Sequence, residues 1–208
     1  STSSGVYDLE KGKHVNSIPI GAFSPDGKFL ATSDGIYNLE TNTKMSSLVG
    51  HAFSPDGKLL ASTNGKVYNL ETGGTAHAFS KGISIAFSPD GEYLAIGGKG
   101  IRRVKTSSYG GYYKDPINIY SLKTGGLVNT MGNLMGNLQI DETFNDVAYS
   151  PDGKYLAASR GSIYIYELST GNIVRSYDKG NNVTFSPDGK YIAAVSGQVA
   201  FLYRTLFQ

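Results

Sequence analysis

Apolar residues along this chain come in short bursts broken by Ser, Asp, Asn and Gly, and nowhere do they hold a 3.6-residue period over three turns. Such a pattern excludes long amphipathic helices and predicts short β-strands instead. Ser84-Ile85-Ala86-Phe87 and Glu92-Tyr93-Leu94-Ala95-Ile96 are β-rich, partly alternating arms on either side of Ser88-Pro89-Asp90-Gly91. In that tetrad proline presets φ near −65° at the second turn position, aspartate suits the third, and glycine supplies the left-handed conformation that returns the chain. The expected result is a hairpin. Ile163-Tyr164-Ile165-Tyr166 reads as a third strand and Ile173-Val174-Arg175-Ser176-Tyr177 as a fourth, joined through a Thr170-Gly171 turn.

This unit recurs. The hairpin returns at Ser24, Ser54, Ser88, Ser150 and Ser186, every 30 to 36 residues except across one gap of 62 that holds an insertion. A second motif, apolar-Tyr-polar-Leu, follows each time: Ile36-Tyr37-Asn38-Leu39, Val67-Tyr68-Asn69-Leu70, Ile119-Tyr120-Ser121-Leu122 and Ile165-Tyr166-Glu167-Leu168. A further copy, Val6-Tyr7-Asp8-Leu9, precedes the first hairpin, and a looser one, Leu202-Tyr203-Arg204-Thr205-Leu206, follows the last. Four antiparallel strands per repeat cannot bury both faces alone, so the repeats must stack face to face. A ring of such sheets is a β-propeller.

These units resemble WD repeats and the related Ser-Pro-Asp-Gly propeller repeats over nearly the whole chain. Tyrosine and a polar residue at 37 and 38, 68 and 69, 120 and 121, and 166 and 167 stand where that family has Trp-Asp. Its Gly-His pair has no good counterpart, because Gly50-His51 abuts Ala52-Phe53 with no room for the usual loop. The family's Asp-His-Ser/Thr-Trp network is therefore expected to be missing, leaving the blades to apolar packing and tight turns. The resemblance implies an all-β fold: one β-propeller domain over residues 1–208, with five four-stranded blades, an incomplete or atypical six-bladed ring being the alternative. Naming the strands a to d, with Ser-Pro-Asp-Gly between a and b, the chain starts on c- and d-like strands and ends on a, b and c. Closure by pairing the N- and C-terminal strands in one blade is expected to remove two open sheet edges. One strand is then surplus, and it would serve as an extra edge, a strand donated to a neighbour, or a sign of a larger propeller.

Composition narrows the chemistry. With 208 residues and no cysteine, the chain has no disulfide, thiolate metal site or cysteine nucleophile. A formal net charge of +2 does not call for nucleic acid or a charged membrane. No apolar run approaches a membrane span, and residues 1–20 lack the basic start and apolar core of a signal peptide. His14, His51 and His77 fall in different repeats without zinc-enzyme spacing, so no metal site or cofactor is expected. Asp26, Asp56, Asp90, Asp152 and Asp188 form a symmetric set that the turn itself explains. Neither a nucleophile elbow nor a phosphate-binding glycine loop occurs. Asn182-Val183-Thr184 is a glycosylation sequon that matters only in an exported chain.

Two insertions break the repeat. Residues 101–116, between strands b and c of blade three, carry Arg102, Arg103, Lys105, Tyr109, Tyr112, Tyr113 and Lys114 around a Gly110-Gly111 hinge. Arg and Tyr dominate interface hot spots, so these seven residues are the candidate partner-binding set. An elongated hairpin with a solvated basic edge is the structural alternative. Basic and aromatic interleaving also fits single-stranded nucleic acid, which the balanced remaining charge does not favour. The second insertion, residues 130–146, repeats Met-Gly-Asn-Leu and holds two of the three methionines, a composition that adapts to partners or covers a sheet edge.

The expected function is a non-enzymatic protein-binding scaffold presenting loops on one face. Alternatives are an extracellular or structural assembly subunit, joined through the surplus strand, and a propeller hydrolase or lactonase with side chains converging on the channel. The family resemblance favours the cytoplasm, whereas low charge and absent cysteine also suit an exported chain.

Overall fold

Each Ser-Pro-Asp-Gly segment makes the turn its residues prescribe. In the computed structural model, Gly27, Gly57, Gly91, Gly153 and Gly189 all take φ between +69° and +73°, and each donates its N–H to the carbonyl of the turn serine at 2.9 Å. The serine hydroxyl adds a second layer. Ser24 Oγ donates to Asp26 Oδ1 at 2.6 Å and accepts the Phe29 N–H at 2.9 Å, while the Lys28 N–H reaches the same Asp26 oxygen at 3.1 Å. The tetrad thus closes a hairpin and satisfies its own polar atoms, which lets the serines sit buried beneath the turn at Ser54, Ser88 and Ser150.

The structure describes residues 21–98, 116–132 and 144–205, together with the backbone of four short strands, Tyr7–Asp8, Lys13–His14, Ile101–Val104 and Gly111–Lys114. No helix occurs among them. The chain forms five antiparallel blades and divides into two compact units, Ser1–Ala78 and Phe79–Gln208.

The first unit holds blade one, with strands Gly21–Phe23, Phe29–Thr32, Ile36–Asn38 and Thr43–Ser46, and blade two, with Ala52–Phe53, Leu59–Ala61, Lys66–Asn69 and Thr75–Ala78. The second unit holds blade three, with Ser84–Phe87, Tyr93–Gly97, Ile117–Ser121 and Leu127–Met131. In blade four, Asp146–Tyr149 pairs with Tyr155–Glu167, whose thirteen residues run through strands b and c in one piece, bent at Gly161 (φ +80°), and Ile173–Gly180 completes the sheet. Blade five has three described strands, Asn182–Phe185, Tyr191–Ser196 and Val199–Arg204. Tyr7–Asp8 pairs with Lys13–His14 in its own two-stranded sheet. The expected closure by N- and C-terminal strands falls on a stretch, residues 1–20, that otherwise lies outside the described residues.

Strand b shows why the Leu-Ala-Ala run recurs. In blade four, Leu156 and Ala158 face one cluster with Ala95, Ile117, Ile119, Met131, Phe144 and Val147. Ala157, from the opposite face of the same strand, joins Ile163, Ile165, Val183, Ile192 and Ala194. A blade between two others needs apolar residues on both faces, and alternation within a continuous apolar run supplies them. Small alanines let the sheets approach. Met131 is 2% exposed in the first of these clusters: strand d of blade three extends through it and turns it inward, while Met135 lies outside the described residues.

Candidate functional site

Three places combine polar chemistry with defined geometry. The first lies at the start of the a strands in the second unit. Four residues before each turn serine, blades three and four carry Ser84 and Asp146. Ser84 Oγ accepts the Val147 N–H of blade four at 2.9 Å and donates to Asp146 Oδ1 at 2.8 Å. Asp146 Oδ2 in turn accepts the Val183 N–H of blade five at 3.0 Å. Each clasp therefore runs from a side chain of one blade to the same backbone position of the next. Alongside, Ser159 Oγ donates to the Asn181 carbonyl at 2.6 Å and Asn145 Nδ2 reaches Asn181 Oδ1 at 3.3 Å. Asp146 spends its oxygens on holding strands, so it acts as a strut. Apolar packing and tight turns were what each blade was expected to rely on; hydrogen-bonded clasps from blade to blade are an addition that sequence reasoning missed. The signal was present in the serine-to-aspartate alignment four residues ahead of the turn.

The second place is a cavity of about 480 Å³ in the first unit, between blades one and two. Phe29, Ile36, Met45, Leu48, Phe53 and Leu70 line it, with Asp26 and Asp56 of the two turns beside them. Blade two has Gly50 at the clasp position. A Cβ there would stand 2.2 Å from Leu60 Cγ, so the buried Leu60 occupies the space a clasp side chain would need. His51 Nδ1 accepts the Thr63 N–H at 3.3 Å, and burial holds its imidazole below the usual histidine range. Among the described residues, no group of three His, Cys, Asp or Glu side chains is placed to hold a metal ion.

The third place is the blade-three insertion. Its backbone forms a separate antiparallel pair, with Arg102 opposite Tyr113, Arg103 opposite Tyr112 and Ile101 opposite Lys114. Lys105 and Tyr109 lie outside the described residues, and the other five predicted partner-binding residues are described by backbone register alone. The five turn aspartates sit where the repeat puts them. Hydrogen bonds from the serine hydroxyls, then from the backbone, hold the carboxyls of Asp26, Asp56 and Asp188 below the ordinary range.

The tyrosines in the family's tryptophan position vary in partner. Tyr37 donates to Asp34, and Tyr120 stacks on Phe79 at 4.5 Å between centroids and bonds Ser80 at 2.9 Å. Tyr166 is buried, and its hydroxyl has no hydrogen-bond partner among the described residues.

A family profile for the WD domain, G-beta repeat, matches residues 70–100 and 132–167. Both stretches contain parts of the repeat that folds as a blade. The chain is a WD-repeat-like β-propeller. Its fold is similar to that of a chain of Kuenenia stuttgartiensis hydrazine synthase, with a TM-score of 0.70 and 18% identity, covering 96% of this chain and 76% of that one. At that identity the likeness speaks for the fold alone. A search of curated proteins finds no match to the sequence. WD-type propellers are in general protein-interaction scaffolds, typically without catalytic activity. Among the described residues, no helix is long and apolar enough to cross a membrane.

Proposed function

We propose that this propeller is a non-enzymatic scaffold whose blade-three insertion engages a protein partner through Arg102, Arg103, Lys105, Tyr109, Tyr112, Tyr113 and Lys114. The single observation that supports this reading is the insertion's own strand ladder, Ile101–Val104 against Gly111–Lys114. A loop already paired as a hairpin has lost much of its backbone freedom before binding, so less ordering entropy opposes association. The same ladder sets arginine opposite tyrosine at two successive positions. Tyrosine supplies a rigid planar stacking surface and arginine a fork of hydrogen-bond donors.

The test compares the wild-type chain with the R102A/R103A/Y112A/Y113A variant as baits, followed by quantitative mass spectrometry of the proteins retained. Partners lost by the variant, at an unchanged melting temperature, support the reading. An identical set of retained proteins sinks it.

A further inference from the structure

Arg160 stands tenth after the turn serine of blade four, where the other blades have Asp34, Asn64, Gly98 and Ser196. It is 7% exposed, one residue before the exposed Gly161 bend. Its guanidinium carbon lies 5.2 Å from the Phe144 ring centroid and 4.7 Å from that of Tyr164. Nε and Nη1 are buried with no hydrogen-bond partner among the described residues, and so is the hydroxyl of Tyr166, from the cluster that contains Phe144. The two centres feel each other. Burial pushes the Tyr166 hydroxyl up to about 12, with the charge of Arg160 pulling it the other way.

Two aromatic rings offset part of the hydration a guanidinium loses, yet a ring does not replace an acceptor for its in-plane N–H groups. A buried cation without an anion is among the costliest features a core can hold. We propose that Arg160, with Tyr166 beside it, forms a carboxylate-binding site entered at the b–c bend of blade four. Charge balance selects the ligand. One guanidinium neutralises one carboxylate, whereas a phosphate dianion would leave excess charge among Phe144, Tyr164 and Met131 in a setting of low polarity. Planar carboxylates also match the guanidinium's donor geometry. This site does not depend on the blade-three insertion binding anything.

The carboxylate has two available sources, an external molecule or the chain's own Asp141 and Glu142, which precede Phe144 in sequence. Thermal unfolding of the full chain is followed in sodium acetate, sodium phosphate and sodium chloride at matched ionic strength. Acetate is expected to raise the wild-type midpoint saturably by about 5 °C over chloride, and to leave R160M unmoved. If acetate acts only on the D141N/E142Q variant, the site is a carboxylate site filled by the chain itself. Equal or larger stabilisation by phosphate overturns the choice of carboxylate. An acetate stabilisation of equal, non-zero size in wild type and R160M, or none in wild type, R160M and D141N/E142Q alike, overturns the site. As a readout independent of how R160M folds, the Arg160 Nε–H resonance of the wild type must shift with acetate; in D141N/E142Q it must do so if the source is internal. An Nε–H resonance unmoved by acetate in both proteins also overturns the site.

Discussion

The two units are built from the same repeat yet solve the blade-to-blade contact differently. In the second unit, apolar residues from both faces of Tyr155–Glu167 fill two interfaces, and Ser84 and Asp146 clasp each blade to the next. In the first unit a small buried group, Ala31, Ile36 and Leu60, is flanked by half-buried side chains and an apolar cavity. At the clasp position of blade two stands Gly50, which has no side chain to offer, and Leu60 of strand b packs directly against it. Identical turns therefore support a dense interface in one unit and an open one in the other.

The largest effect that can break this contrast is in the two strand-b leucines, both 0% exposed. Leu156→Ala is expected to cost about 4 kcal/mol and Leu60→Ala about 2 kcal/mol, the span known for buried leucines in tight and yielding sites. Equal losses in urea unfolding would mean that the cavity does not soften the first unit. Next, Asp146→Ala strands the buried Val183 N–H and is expected to cost about 2–3 kcal/mol, with Asp146→Asn recovering part of it through its remaining amide oxygen. A loss below about 0.5 kcal/mol would show that the clasp merely accompanies packing. Gly50→Ser, which places a clasp hydroxyl in blade two, is expected to destabilise by about 1–3 kcal/mol through its clash with Leu60. The Leu60→Ala background is expected to relieve that clash, so a double-mutant cycle without coupling would refute the account.

Turn variants should erase the contrast. Ser54→Ala and Ser150→Ala each remove an acceptor for a strand-b N–H, at Leu59 and at Tyr155, and both are expected to cost about 1 kcal/mol. The smallest effect is with pH. Because the Asp26, Asp56 and Asp188 carboxyls are held below the ordinary aspartate range, their contribution is full above that range and is lost as pH falls through the lower folded-state values. Carboxyl NMR titration of S54A is expected to show Asp56 returning toward the ordinary aspartate range; an unmoved Asp56 would remove the serine hydroxyl as the principal cause.

Much of the fold was legible because its signals are local. Pro25, Asp26 and Gly27 specify a turn through their own backbone preferences, and the strand arms declare themselves by composition and period. The candidate sites were legible in a different degree. Arg102, Arg103, Tyr112 and Tyr113 stood out as a break in the repeat, and their backbone pairing follows from the hairpin around Gly110-Gly111. Asp146 was read as the end of an insertion, because nothing near it in sequence announces the Val183 N–H it serves 37 residues later. Arg160 drew no notice at all, since its meaning depends on Phe144 and Tyr164 closing over it.

The sequence by itself determined the repeat, the turns, the strand order within each blade and the all-β class, since each of these rests on interactions between residues a few positions apart. Only the tertiary structure decided which blades are clasped, where a cavity remains, and which charged side chain ends up buried without a partner. Those outcomes depend on side-chain volumes and polar atoms meeting across blades, and a repeat that looks uniform along the chain leaves such meetings to single residues such as Gly50, Asp146 and Arg160.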